Sequence, residues 1–329
     1  MPYSLDMSKT ILRGCYTANI TPFSEAGGPI AFDVRYDALP ALLDYQFDHY
    51  PATDLEFRGV DGVVVAGCTG SAFVLSPHEQ MELAGRTMDY MEKHYPDKIV
   101  IVGDGSNSTK ESIELAKMME GRAKRRLVHM AISPYGVKPS ASGMRRHYEA
   151  LADSIEGELL LYSVPSRTGG DGITPEVAAA LADHERIIGI KEASGKMERI
   201  RRTIQLTRGK EFFVISGDDG LTLDIIKEGG TGIISVASNV APRDMTSMVH
   251  KALRGDYDGA YAIDARLRRL YDGLFPKGGS PNPVMCHYAL KKMGYPVGYP
   301  RLPLDEPTQT EMDEMDTTLV DLGIIKRAA

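Results

Sequence analysis

The chain has 329 residues, enough to bury one large core or two smaller ones, and its 43% hydrophobic and 25% charged residues are ordinary for a globular protein. A net charge of −7 argues against a nucleic-acid or anionic-membrane surface. Cys15, Cys68 and Cys286 are spaced too widely for a zinc knuckle or a disulfide framework. The N-terminal residues lack a signal-peptide pattern, and no apolar run approaches 18 residues. We therefore predict a cytoplasmic protein without a membrane span.

Eight short runs rich in β-branched residues predict eight strands, separated by segments with apolar residues three and four positions apart. Strands that alternate with helices indicate right-handed βαβ units and a parallel sheet. Eight such units over about 240 residues favour a closed (β/α)8 TIM barrel over an open doubly wound sheet. The predicted strands are Cys15–Ile20, Val60–Ala66, Ile99–Val102, Leu127–Ile132, Leu159–Val164, Ile187–Lys191, Phe212–Ser216 and Thr231–Val236.

The pattern becomes largely helical after the eighth strand. Residues 242–293 and 311–322 predict the last barrel helix and then a C-terminal helical extension. We therefore divide the chain into a barrel domain, residues 10–255, and a C-terminal helical region, residues 256–329.

Lys191 is the one lysine that ends an apolar strand in this sequence. Burial disfavours the charged ammonium, and a fall of its pKa from about 10.4 to about 7–8 would correspond to roughly 4 kcal/mol. The resulting neutral amine can attack a carbonyl group and form an imine. Gly189 shares the strand face of Lys191, so we expect it to leave room for the lysine side chain and a ligand. The plain alternative is a strand-end lysine that pairs with Glu192 or lies in solvent.

Other chemically capable residues also follow or end predicted strands, where (β/α)8 barrels place their active sites. His129 is expected to face the barrel interior as a hydrogen-bonded core residue. No second histidine or cysteine stands at ligand spacing from it, so we predict no metal site. The further candidate residues are Cys68, Thr69 and Gly70 after the second strand, Tyr162 in the fifth, Gly217 after the seventh and Ile234 in the eighth.

Taken together, these motifs resemble the dihydrodipicolinate synthase / N-acetylneuraminate lyase family of class I aldolases. The resemblance runs from about Arg13 to about Pro303, with Arg167 and the Lys191-Glu192-Ala193 continuation closer to the synthase branch. The segments that carry it are Gly67-Cys68-Thr69-Gly70, residues 162–169 (YSVPSRTG), 189–195 (GIKEASG), 216–219 (SGDD), 232–236 (GIISV) and Pro281-Asn282-Pro283.

The resemblance implies a role for each candidate residue. Lys191 would form a Schiff base with pyruvate and Tyr162 would donate and accept protons. Thr69 and Gly70 would hold the pyruvate carboxylate. No cofactor beyond the covalent imine on Lys191 is implied.

The remaining candidates would complete the site for both substrates. Ile234 would offer its backbone carbonyl to the pyruvate site, and Gly217 would line the floor of that site. Arg167 would bind the carboxylate of L-aspartate 4-semialdehyde, because a planar guanidinium suits a carboxylate. The implied product is 4-hydroxy-tetrahydrodipicolinate, on the lysine pathway, and the implied assembly is a homotetramer built as a dimer of dimers.

Three residues depart from the family pattern. Cys68 replaces a hydroxyl residue of the proton relay, Gly136 replaces a second tyrosine, and Ser71 replaces a glutamate. A thiol can still pass a proton, whereas glycine cannot. Two alternatives therefore stay open: another pyruvate-dependent aldolase, of the 2-keto-3-deoxy-sugar acid or 4-hydroxy-2-oxoglutarate type, and a non-catalytic paralogue that binds a keto acid. Feedback by lysine is undecided, and the long segment 44–58 has no assigned function.

Overall fold

The computed structural model describes residues 10–25, 33–47 and 59–326. Within them, eight parallel strands pair in chain order and close into a barrel. Every predicted strand is present, with ends displaced by at most two residues, so the (β/α)8 prediction is confirmed. The strands are β1 (Gly14–Ala18), β2 (Gly62–Val65), β3 (Ile99–Gly103), β4 (Val128–Ile132), β5 (Glu158–Ser163), β6 (Ile187–Glu192), β7 (Phe213–Ser216) and β8 (Gly232–Ser235).

Helices follow the strands, and several begin at side chains that cap them. Ser76 and Glu79 form a capping box that starts one long helix, and Thr308 and Glu311 form another in the C-terminal region. The helices are α1 (Leu39–Phe47), α2 (Pro77–His94), α3 (Thr109–Arg122), α4 (Ala141–Ser154), α5 (Pro165–Thr168), α6 (Pro175–Leu181), α7 (Met197–Leu206), α8 (Thr222–Glu228), α9 (Pro242–Leu253), α10 (Tyr257–Leu274), α11 (Val284–Lys292) and α12 (Gln309–Asp321).

The chain forms two compact units. The first contains Val100–Ile234 together with the residues before Gly14, and the second contains Gly14–Ile99 together with the residues from Ser235 onward. The division into a barrel domain, residues 10–255, and a helical region, residues 256–329, stays a prediction.

In the first unit, the outer faces of β5 and β6 pack against α4, α6 and α7. Leu161 on β5 and Ile190 on β6 are fully buried in this shared core. Because side chains alternate along a strand, Tyr162 and Lys191 face the opposite side, which is the barrel interior.

His129 also lies on the outer side of the sheet, so the prediction that it faces the interior was wrong. Its Nδ1 contacts Asp104 and its Nε2 lies 3.2 Å from Glu120 on α3. Burial alone lowers the pKa of His129, but the two carboxylates outweigh burial and raise that pKa to about 9. The period of a strand shows which residues share a face, but it does not show which face is inside.

The predicted C-terminal helical extension is present in the second unit. Asp316 on α12 accepts hydrogen bonds from Tyr288 Oη at 2.8 Å and from Lys292 Nζ at 2.7 Å, both on α11. These bonds hold α11 and α12 together, although a segment without helix separates them in the chain.

Candidate active site

Lys191 and Tyr162 form a cross-strand pair at the C-terminal ends of β6 and β5. Each side chain is only 5% exposed. Lys191 Nζ lies 4.4 Å from the centroid of the Tyr162 ring. The structure therefore places the amine in a buried position against an aromatic face, and not in solvent.

Gly217 provides the space that the lysine side chain occupies. A Cβ at this position would lie 2.7 Å from Ala193 Cβ, 3.0 Å from Lys191 Cε and 3.2 Å from Lys191 Cγ. The backbone is otherwise held, because the Gly217 amide donates to the Glu192 carbonyl at 2.8 Å. Glycine is required here for close approach of the lysine stem, since its φ is not in the left-handed region.

Gly189 lies close to the backbone of the neighbouring strand. A Cβ there would lie 2.4 Å from the backbone oxygen of Phe213, its register partner on β7. The missing side chain therefore allows β6 and β7 to pair closely, and the expectation that it leaves room for a ligand stays a prediction.

Glu192 does not pair with Lys191, because it lies on the outer face of β6. It is fully buried, and its Oε2 lies 3.4 Å from Arg199 Nε on α7. Burial raises the pKa of Glu192, and the charge of Arg199 opposes that rise. The alternative reading of Lys191 as a partner of Glu192 or a solvated side chain was therefore wrong.

The other two candidates of the first unit lie on β8 and beyond β5. Ile234 is buried within β8. Arg167 is exposed on α5, the single helical turn that follows β5 directly. The structure thus brings together Lys191, Tyr162 and Gly217, and it places Arg167 five residues beyond Tyr162.

In the second unit, Cys68, Thr69 and Gly70 form the loop after β2. Thr69 is buried, and its Oγ1 accepts a hydrogen bond from Asn282 Nδ2 at 3.1 Å. Gly70 accepts a hydrogen bond from Thr21 Oγ1 at 2.6 Å through its carbonyl oxygen. Cys68 is partly buried and is not disulfide-bonded.

Two strained residues flank this loop. Ala66 has φ 53° and Ser71 has φ 57°, in the left-handed region that residues with a Cβ rarely adopt. Ser71 is also buried, and its hydroxyl has no hydrogen-bond partner. Strain and unsatisfied polar groups of this kind concentrate at functional sites, so this loop is a candidate functional element of the second unit.

The C-terminal extension holds the asparagine that contacts Thr69. Glu311 on α12 accepts hydrogen bonds from the Ser280 amide at 2.6 Å and from the Ser280 hydroxyl at 2.9 Å, two residues before Asn282. Burial raises the pKa of Glu311, but hydrogen bonds from Ser280 and Thr308 outweigh burial and lower that pKa to about 2. The extension therefore contributes directly to the loop after β2.

Gly136, where the resemblance implies a tyrosine, is open and exposed. Gly136 has φ 78°, and a Cβ built there would meet no atom within 4 Å. Its amide donates to the Thr168 carbonyl oxygen at 3.4 Å, beside the turn that carries Arg167. A tyrosine would have space at this position, but the backbone conformation would be strained.

The cavity of 450 Å³ in the first unit lies at the opposite ends of the strands. Its lining includes Leu127, Gly157 and Arg186, which directly precede β4, β5 and β6. In (β/α)8 barrels, residues at this end of the strands contribute to stability, whereas the active site lies at the other end.

Across residues 10–25, 33–47 and 59–326, no group of three or more His, Cys, Asp or Glu residues could hold a metal ion. In the same part of the chain, no helix has the length and apolarity that a bilayer crossing needs.

Comparison with known proteins gives one consistent family. The family model described as the dihydrodipicolinate synthetase family matches residues 12–322. A Haloarcula marismortui protein named 4-hydroxy-tetrahydrodipicolinate synthase is 36% identical over 316 residues, which cover 96% of this chain and 95% of that protein. An Archaeoglobus fulgidus protein of the same name is 37% identical over 315 residues, covering 96% of this chain and 100% of that protein.

Solved structures agree with the sequence comparisons. The chloride-inhibited dihydrodipicolinate synthase from Acinetobacter baumannii, complexed with pyruvate, matches with a TM-score of 0.85 and 30% identity. The match covers 96% of this chain and 100% of that one.

Proposed function

The chain belongs to the dihydrodipicolinate synthetase family, and from this premise we propose that it is a lyase that condenses pyruvate with L-aspartate 4-semialdehyde. The product would be 4-hydroxy-tetrahydrodipicolinate, in lysine biosynthesis. The observation that carries the proposal is the buried amine of Lys191, 4.4 Å from the centroid of the Tyr162 ring at the C-terminal ends of adjacent strands.

The chemistry begins at the lysine nitrogen. The neutral amine of Lys191 attacks the keto carbon of pyruvate, and loss of water gives an imine. Loss of a methyl proton converts the imine to an enamine, whose carbon then attacks the aldehyde carbon of the second substrate and restores the imine. The amino group of that substrate then attacks the imine carbon, which closes the ring and releases Lys191 as the free amine. Tyr162 is the proposed proton donor and acceptor in these steps, because it neighbours the nitrogen that reacts. Cys68 is the proposed further member of the proton relay.

The remaining candidate residues bind the substrates. Thr69 and Gly70 are proposed to hold the pyruvate carboxylate, with the Ile234 carbonyl and Gly217 completing the pyruvate site. Arg167, which is exposed on α5, is proposed to bind the carboxylate of the aldehyde, because a planar guanidinium suits a carboxylate. We propose no cofactor beyond the imine on Lys191, a cytoplasmic location, and a homotetramer of the dimer-of-dimers type.

Reductive trapping tests the proposal. The protein is incubated with pyruvate and borohydride, and the adduct is mapped by mass spectrometry. We expect the label on Lys191, no label in Lys191→Arg, and an unchanged label in Lys98→Arg, whose lysine donates to the Val60 carbonyl oxygen instead. An unlabelled Lys191 in the wild-type protein would exclude imine chemistry and favour a keto-acid-binding paralogue.

A second candidate keeps the imine and changes the aldehyde. It is favoured by the open position at Gly136 and by the buried, unpartnered hydroxyl of Ser71, two places where the chain departs from its family. Turnover with aspartate semialdehyde is therefore compared with turnover on sugar-acid aldehydes and glyoxylate. A higher kcat/KM for aspartate semialdehyde supports the synthase, and the reverse order supports the second candidate.

A further inference from the structure

The ends of β5 and β6 carry a second cross-strand pair directly after Tyr162 and Lys191. Ser163 pairs with Glu192 in the sheet register, and both are fully buried. Because side chains alternate along a strand, this outer pair faces the helix layer, away from the amine and the phenol. A group that holds Ser163 and Glu192 therefore also fixes the backbone of the two inner residues.

Arg199 on α7 contacts both members of the outer pair. Its Nε lies 3.4 Å from Glu192 Oε2, and its Nη2 lies 3.5 Å from Ser163 Oγ. The same Nη2 donates to the carbonyl oxygen of Ile173. A planar guanidinium can serve several acceptors at fixed angles, which a lysine ammonium at the same place does not reproduce.

Ile173 connects the segment that carries Arg167 to the contacts of Arg199 and Ser163. Its amide donates to Ser163 Oγ at 3.3 Å. Residues 164–173 form the segment that starts after β5, carries Arg167 on α5 and ends at this contact. A Cβ on Gly172 would lie 2.9 Å from Ser163 Oγ, so the backbone approaches the serine closely. Arg199 thus contacts the far end of the segment whose first turn carries Arg167.

We propose that Arg199 is a positioning residue for the imine chemistry. It joins the residue after Lys191, the residue after Tyr162 and the end of the Arg167 segment, and so it sets the distance between amine and phenol. This inference rests on the proposed function, because it assigns a role in a reaction at Lys191.

Four variants separate positioning from general structural support. Arg199→Gln removes the three contacts, Arg199→Lys keeps only the charge, and Ser163→Ala removes one acceptor. The matched control is Arg202→Gln, on the same helix, where the arginine pairs at 3.4 Å with the exposed Glu176. Borohydride trapping with pyruvate counts the sites that form an imine, and kcat is then expressed per trapped site beside the KM for pyruvate.

We expect Arg199→Gln to lower kcat per trapped site by about 10- to 100-fold, because misplacement of reacting groups by about 1 Å has effects of that size. Arg199→Lys should recover part of the loss, Ser163→Ala should lose less, and KM should change less than kcat. Arg202→Gln should match the wild type. A purely structural role would reduce the number of trapped sites and leave kcat per site unchanged.

Equal kcat per trapped site in Arg199→Gln, Arg199→Lys and Arg202→Gln would overturn the inference. If Arg199→Gln does not fold, kcat per trapped site is compared between Arg199→Lys, Ser163→Ala and the control Arg202→Gln. Equal values would again overturn the inference. A wild-type protein that takes no label from pyruvate would instead overturn the proposed function itself. The two failures therefore give different results.

Discussion

Gly217→Ala is the smallest change that should disturb the reactive lysine. The added carbon would lie 2.7 Å from Ala193 Cβ and 3.0 Å from Lys191 Cε. Carbon atoms in contact prefer about 3.5–4.0 Å, so the neighbours must give way by roughly 1 Å at the closest contact. Overpacking of this kind destabilises by about 1–3 kcal/mol. The contact with Lys191 Cε is short by about 0.5–1 Å, and a displacement approaching 1 Å at the amine would slow the reaction by up to about 100-fold, which corresponds to about 3 kcal/mol in the barrier.

The assay measures the rate of imine formation with pyruvate, from borohydride trapping at several times, together with kcat and the free energy of unfolding. Gly121→Ala is the matched control, because it makes the same chemical change on α3 where a Cβ meets no atom within 4 Å. That control should keep full activity and gain up to about 1 kcal/mol of stability from helix propensity.

The decisive comparison is between the two alanine variants. If pyruvate is trapped on Gly217→Ala at the same rate as on Gly121→Ala, the argument that Gly217 provides the space for Lys191 is refuted. A slow rate with unchanged KM for pyruvate would support displacement of the amine over loss of substrate binding.

Three further predictions concern other parts of the chain. Because the pKa of His129 is raised to about 9 from 6.5, its contribution to stability is full below pH 6.5 and is lost as pH rises through 9. The free energy of unfolding in urea should fall by about 3 kcal/mol over that range. The double variant His129→Gln/Asp104→Asn, which removes both titrating groups of the pair, should abolish the slope. Cys68→Thr should keep or raise turnover and Cys68→Ala should lower it; equal rates would assign the thiol to packing. Thr69→Val removes the acceptor of the Asn282 amide and should cost about 1–3 kcal/mol in stability while raising the KM for pyruvate, whereas Thr69→Ser should do neither.

The fold was predictable because each strand is short, apolar and separated from the next by a helical pattern. Even strand ends were placed to within two residues, and the end of β6 at Lys191-Glu192 led directly to the amine. The facing of His129 and the reason for Gly189 were not predictable. Both depend on how one strand meets its neighbours, and a single strand's alternation carries no information about that.

The predicted site residues came from motifs, whereas their supporting contacts depend on the tertiary structure. Thr69 and Asn282 are 213 positions apart in the chain, and only the fold joins them. The role of Arg199 as a partner of Glu192 could have been predicted from the sequence. A carboxylate that follows a buried strand lysine needs a cation or donors of its own, and Arg199 lies seven positions beyond Glu192, near the start of the next helical pattern.

In each unit, a buried carboxylate supports the segment that carries candidate residues. In the first, Glu192 and Arg199 hold the outer side of the strands whose inner side carries Lys191. In the second, Glu311 holds Ser280, two residues before the asparagine that contacts Thr69. Each carboxylate holds a loop or strand end through hydrogen bonds, at the desolvation cost of a buried charge. Such a cost is justified where geometry must be reproducible to within a fraction of an ångström, as imine formation and proton transfer require.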